Sequence, residues 1–103
     1  MNSNRNDNIY KNYGRFNCLV DEVSEEIFLL LKNPENMPEY MSDSQLRSIL
    51  EELDTMKSSL RHYDFHPYYP KGITDCWILD DQLGNKLMEV LGIYNKLKQS
   101  LSL

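Results

Sequence analysis

The sequence predicts an all-α fold: a small helical bundle of three main helices plus a short N-terminal element, with an ordered aromatic loop packed on it. Apolar residues recur every three or four positions through three long segments, which is the spacing of amphipathic helices. Prolines separate these segments at Asn33-Pro34 and again at Pro67 and Pro70. Proline lacks the N–H that the interior of a helix requires, and it disfavours helical backbone at the residue before it, so we expect connections there.

The amino-terminal part is expected to extend the bundle. The first eight residues are polar and rich in Asn, which predicts a disordered tail at 1–8 and a single helical domain at 9–103. A domain of this length can bury a core without disulfides or metals. Aromatic residues at about one-turn spacing, interrupted by Gly14, then predict a short helix or turn that lays rings on the core: Tyr10, Tyr13 and Phe16.

The first long helix is predicted at about 16–32. Its apolar stripe consists of Phe16, Leu19, Val20, Val23, Ile27, Leu30 and Leu31. Four acids lie on the opposite side of the helix: Asp21, Glu22, Glu25 and Glu26. Phe28 and Leu29 do not join the apolar stripe, so the second half of this helix is apolar on most sides. That arrangement requires cover from another element or forms an exposed contact patch.

The other two helices are predicted at about 43–63 and 81–100. Ser42 followed by Gln45 is a capping-box pattern that begins the second helix. Asp80 or Asp81 is expected to cap the third. The residues of the helices and the loop that we expect to be buried are Val23, Ile27, Ile49, Leu53, Trp77, Leu87 and Val90.

The connection at 64–80 is predicted to be a non-helical segment that packs on the bundle as a lid. Trp77 would anchor it, and its other apolar residues would add cover: Ile73, Cys76, Ile78 and Leu79. Tyr68 and Tyr69 are adjacent, so in an extended chain their side chains point to opposite faces. We therefore expect one of these two tyrosines to be exposed.

The charge of the chain excludes some partners. The net charge is −5, and residues 17–63 alone hold ten acidic and four basic residues, a net of −6. This is the wrong sign for a protein that binds nucleic acid through phosphates. The longest apolar run, residues 27–31, is too short to cross a membrane. With two cysteines and no secretory signal pattern, the expected location is cytoplasmic.

Catalytic and metal-binding alternatives have weaker support. Cys18, His62, His66 and Cys76 could supply two cysteines and two histidines for zinc, but they lack the close cysteine pair of such sites. Cys76 follows Asp75, which opposes a reactive thiolate, and we expect a buried, inert thiol there. No known phosphate-loop, EF-hand or hydrolase motif occurs. The prediction is therefore a protein that is not an enzyme and needs no metal or cofactor.

The block YYPKGITDCWILDDQLGNKLMEVLGIYNKL, residues 68–97, resembles the C-terminal half of a group of small acidic bacterial immunity proteins. These proteins belong to intercellular toxin systems of the polymorphic or contact-dependent kind. The resemblance rests on Tyr69-Pro70, Ile73, Asp75, Trp77, Leu83-Gly84 and the helix to Tyr94. It implies a protein that binds and neutralises a cognate toxin domain. The N-terminal half carries no matching motif, so the resemblance assigns no binding residues.

The function predicted from these observations is a non-catalytic protein-binding module, an immunity protein that holds a basic toxin domain. The alternative is a helical adaptor or regulatory subunit of a cytoplasmic complex; a third reading is mimicry of nucleic-acid charge by the acidic helices. The oligomeric state is left open. Acids on the first two helices and the tyrosine pair are the predicted partner-binding residues: Asp21, Glu22, Glu25, Glu26, Glu51, Glu52, Tyr68 and Tyr69.

Overall fold

The computed structural model describes residues 3–60 and 64–101, and side chains at 9–60 and 64–100. The helices are α1 (Ser3–Lys32), α2 (Asp43–Ser59), α3 (Tyr69–Cys76) and α4 (Gln82–Leu101), with a 3₁₀ turn at Pro34–Asn36. No strand occurs in these two ranges. The all-α prediction is confirmed. None of the helices in the described ranges is long and apolar enough to cross a membrane.

The amino-terminal part differs from the prediction because α1 is one continuous helix of 30 residues instead of a short element followed by a helix. Gly14 lies exposed within it, and a glycine inside a helix costs only about 1 kcal/mol relative to alanine. Packing offsets that cost, since Phe16 is fully buried and stacks on Tyr94 with ring centroids 5.9 Å apart. Residues 3–8 of the predicted tail belong to this helix, and residues 1–2 lie outside the described ranges.

α1 is the central element, and both α2 and α4 run antiparallel beside it. On the α4 side, Glu26 pairs with Lys86 at 2.9 Å and Arg15 pairs with Glu89 at 3.1 Å. On the α2 side, Asp21 lies 3.4 Å from Lys57. The short helix α3 contacts α2 and α4 and bridges their outer edges.

The core lies between α1, α2 and α4, with α3 closing one side. The seven residues of the helices and the loop that were predicted to be buried are buried, but Tyr10 and Tyr13, which were predicted to lie on the core, are 75 % and 41 % exposed. Tyr94 is fully buried, and its hydroxyl donates to the carbonyl of Phe65 at 3.0 Å and lies 2.8 Å from the hydroxyl of Ser59. These contacts satisfy polar groups at the centre of the bundle, where an unpaired hydroxyl would be costly.

The caps predicted for the second and third predicted helices are present, but only the Ser42 half of the capping box is formed. The Ser42 hydroxyl accepts a hydrogen bond from the backbone N–H of Gln45 at 3.1 Å at the beginning of α2. At the beginning of α4, the Asp81 carboxylate accepts from the N–H of Gly84 at 2.8 Å. The Gln45 side chain, however, is hydrogen-bonded to Trp77.

The connection from 64 to 80 packs on the bundle, but it contains a helix where the sequence predicted a lid without helix. Pro70 occupies the first turn of α3, where a missing N–H costs nothing. The lid prediction was also wrong for three apolar residues. Cys76 is exposed, Ile78 keeps 57 % of its surface open and Leu79 keeps 90 %.

Candidate protein-binding surface

The start of α3 is held by a carboxylate from α2. Glu52 Oε1 accepts hydrogen bonds from the N–H groups of Tyr68 at 2.7 Å and Tyr69 at 2.9 Å. The first N–H groups of a helix have no partner within the helix, and a negative charge there is favoured by the helix dipole. Glu52, a predicted partner-binding residue, therefore acts within the fold as the acceptor that fixes this end of α3.

Two aromatic side chains anchor α3 to its neighbours. Tyr69 is buried, and its hydroxyl donates to the Leu87 carbonyl at 2.7 Å. Burial raises the pKa of Tyr69 far above its ordinary value. Trp77 is also buried, and its indole N–H donates to the Gln45 side chain at 2.9 Å. The first anchor attaches α3 to α4 and the second attaches it to α2.

Tyr40, in the connection between α1 and α2, fixes the turn between α3 and α4. The Tyr40 hydroxyl donates to the same Asp81 carboxylate that caps α4, and this bond raises the pKa of Tyr40. The Tyr40 ring also lies 6.2 Å from the Trp77 ring. A Cβ added at Gly84 would stand 3.1 Å from Trp77, so the glycine permits this close packing.

This framework leaves large apolar side chains facing solvent at both ends of α3. Tyr68 at the start exposes 82 % of its surface, and Ile78 and Leu79 follow the end. Met88 of α4 is 38 % exposed and lines a cleft of about 140 Å³ together with Ile78 and Leu79. We call Tyr68, Ile78, Leu79 and Met88 the α3 surface. Exposed apolar groups on a fixed backbone are typical of protein-binding sites, because little freedom is lost when a partner covers them.

Three of the acids predicted on α1 form ion pairs with other helices, and the fourth faces solvent. Asp21 pairs with Lys57, and both Glu22 and Glu26 pair with Lys86, at 3.5 and 2.9 Å. A hydrogen bond from Lys86 to Glu26 raises the pKa of the lysine. These lysines come from α2 and α4, so three of the four predicted acids on α1 link helices and carry less charge toward a partner.

The remaining predicted residues stay open to solvent. Glu25 and Glu51 are exposed, and neither forms an ion pair within the described ranges. The tyrosine pair is divided as expected, with Tyr68 outside and Tyr69 inside. Sequence reasoning did not identify Ile78 and Leu79 as exposed. The available signal was that two apolar residues follow Trp77, which already supplies the buried anchor.

The residues of the zinc alternative are spread across separate elements. Cys18 lies on α1 and Cys76 ends α3, and both are exposed free thiols. His66 lies 2.9 Å from Asp64, which also pairs with Lys98 at 2.5 Å. His62 lies outside the described residues. Within 9–60 and 64–100, three or more potential metal ligands do not come together.

The chain was compared with known families, curated proteins and solved structures. No family model, no curated protein and no solved structure matches this chain. The resemblance to immunity proteins remains a prediction based on residues 68–97.

Proposed function

We propose that this domain is a non-catalytic protein-binding module that holds its partner on the α3 surface. The observation that carries this proposal is the contrast between fixed and exposed side chains in α3 and in the residues that flank it. Tyr69 and Trp77 are buried and hydrogen-bonded, whereas Tyr68 and Leu79, beside them in the chain, are 82 % and 90 % exposed.

Burial of these apolar side chains by a partner would supply much of the binding free energy. Covering an apolar side chain contributes about 25 cal/mol per Å² removed from water. Tyrosine is enriched among the residues that dominate binding energy because it offers a large rigid ring and a polar hydroxyl. The hydrogen bonds of Glu52 to the start of α3 fix the backbone of Tyr68 before any partner arrives, which lowers the entropy lost on binding.

The charge of the domain favours a basic partner. The net charge is −5, and Glu51 lies next to Glu52, whose carboxylate contacts the backbone of Tyr68. Exposed acids accelerate encounter with a basic protein, while apolar anchors slow its release. A toxin domain that acts on nucleic acid has this basic character. The specific form of the proposal is therefore an immunity protein that binds and neutralises such a toxin domain in the cytoplasm.

The test uses the product of the gene adjacent to the one that encodes this chain. We expect a one-to-one complex by isothermal titration calorimetry, and protection of cells when both proteins are co-expressed. Tyr68→Ala should raise the dissociation rate about 30-fold, as expected for an anchor worth about 2 kcal/mol. Tyr10→Ala is the matched control, because Tyr10 is also a 75 % exposed tyrosine but lies on α1, away from α3.

A second variant tests the electrostatic part. Glu51→Lys should lower the association rate and the salt dependence of binding while leaving the dissociation rate nearly unchanged. An adjacent toxin that binds equally well to the wild type and to Tyr68→Ala would show that the α3 surface is not the site. A complex with a housekeeping assembly and no effect on toxicity would favour the alternative function of a helical adaptor.

A further inference from the structure

The side of α1 that faces away from the core carries a short row of exposed residues near the end of the helix. The row consists of Glu25, Phe28, Leu29 and Lys32. Residues with this spacing lie on one face of a helix. All four are exposed, and Phe28 and Leu29 leave 57 % and 53 % of their surfaces open. We call these four residues the α1 stripe; it is the exposed contact patch that the sequence offered as one of two outcomes.

A groove lies on each flank of the α1 stripe. The groove on the α2 side has a volume of about 610 Å³ and lies between Phe28 and Leu50. The groove on the α4 side has a volume of about 310 Å³ and lies between Leu29 and Leu83. Helices associate by packing the ridges of one into the grooves of the other. A ridge with a groove beside it can therefore pack against a second copy of itself.

The charges of the α1 stripe are also self-complementary. Glu25 lies three residues before Phe28, and Lys32 lies three residues after Leu29, so opposite charges stand at equal distances from the midpoint. If two copies lie antiparallel about a two-fold axis at that midpoint, each Glu25 faces the Lys32 of the other copy. Within the described ranges, neither residue has an ion-pair partner in its own chain.

We infer that the α1 stripe is the interface of a symmetric dimer of this chain, in which the two α1 helices pack antiparallel. Phe28 of each copy enters the groove on the α2 side of the other, and two Glu25–Lys32 pairs close the ends. A second copy suits this surface better than a uniformly charged partner does. A basic partner would be repelled at Lys32 and an acidic one at Glu25, whereas a second copy presents the opposite charge at both ends.

The dimer is expected to be weak because the α1 stripe is short. It spans about two turns of helix, on the order of 10 Å. Interfaces that bury less than about 1,200 Å² in total are typical of transient association. The expected dissociation constant therefore lies in the micromolar range, and it should rise with salt because the end pairs are exposed.

Charge exchange across the interface tests the inference by sedimentation equilibrium, from about 10 µM to about 1 mM protein at low salt. Glu25→Lys places like charges opposite each other at both ends, and so does Lys32→Glu. Each single variant should weaken the dimer about tenfold or more. The double variant E25K/K32E restores both pairs with their signs exchanged, so its dissociation constant should return to within about threefold of the wild type.

Asp75→Lys is the control, because it reverses an exposed acid on α3 that lines neither groove beside the α1 stripe, so it should leave the dimer unaffected. All these positions are exposed, and circular dichroism should confirm an unchanged fold. A monomer over the whole concentration range would overturn the inference, and so would single variants that dimerise like the wild type or a double variant that fails to recover.

The dimer and the proposed partner are tested by different residues. Tyr68→Ala should release the partner without changing the dimer, whereas Lys32→Glu should dissociate the dimer and leave partner binding through Tyr68 in place. Glu25 was predicted as a partner-binding residue, and in the dimer it is used between copies. Failure of one proposal therefore leaves the other standing.

Discussion

Replacing Glu52 by alanine should release the start of α3 from α2. The carboxylate accepts two backbone hydrogen bonds, at 2.7 and 2.9 Å, from N–H groups that have no acceptor within α3. Loss of a side-chain cap costs about 0.5–2 kcal/mol, and hydrogen bonds to a charged acceptor lie toward the upper end. Water can reach this half-buried site and compensate in part. We therefore expect Glu52→Ala to lower the free energy of unfolding by about 1–2 kcal/mol.

Two companion variants separate the cap from general effects of charge. Glu52→Gln keeps a carbonyl oxygen that can accept but removes the negative charge, so it should cost about half as much as alanine. Glu51→Ala removes the neighbouring acid, which is exposed and does not cap α3. Such a surface change should stay within about 0.5 kcal/mol.

Urea denaturation followed by circular dichroism measures these differences, and hydrogen exchange locates them. In Glu52→Ala the amides of Tyr68 and Tyr69 should exchange faster, while the amide of Leu53 in the core of α2 stays protected. If Glu52→Ala matched Glu51→Ala in stability and exchange, the carboxylate would not hold α3. The fixed position of Tyr68, on which the proposed function depends, would then need another cause.

Substitutions of core residues and of helix glycines give three further predictions for the stability of the fold. Leu53→Ala should lower the free energy of unfolding by about 2–5 kcal/mol in urea denaturation, because Leu53 is 1 % exposed; a loss below about half a kcal/mol would mean that this face of α2 is not in the core. Burial raises the pKa of Tyr69 from 10.0, so the folded state keeps a proton that the unfolded chain releases above about that pH. The contribution of the Tyr69 hydroxyl to the free energy of unfolding is therefore complete below pH 10 and falls above it. Denaturation curves recorded from neutral to alkaline pH should show this fall in the wild type and a smaller fall in Tyr69→Phe. Gly92→Ala should raise the thermal midpoint, with a gain of about 0.5–1 kcal/mol, since nothing lies within 4 Å of the added methyl group. Gly84→Ala should gain less or lose stability because its methyl group would press on Trp77 at 3.1 Å.

Local pattern in the sequence determined most of the fold. The apolar spacing of α1, α2 and α4 predicted their core faces, since a helix repeats every 3.6 residues and the same side chains return to one face. Ser42 was recognised as a cap, and the second cap was narrowed to Asp80 or Asp81, because a cap acts within three residues of its own position; the structure shows that it is Asp81. The same geometry placed Phe28 outside the apolar stripe of its helix, but it left open whether another element covers it, and the structure leaves it 57 % exposed.

The tertiary structure alone decided how the candidate surface is assembled. Glu52 completes α3 from 16 residues before Tyr68, and Lys86 reaches Glu26 across 60 residues of sequence. Such pairs depend on which helix faces lie together, and no local spacing encodes them. The outward position of Leu79 has the same origin. Trp77 turns inward at the end of α3, where it packs against Gly84 and donates a hydrogen bond to Gln45, and the two apolar residues that follow it face solvent.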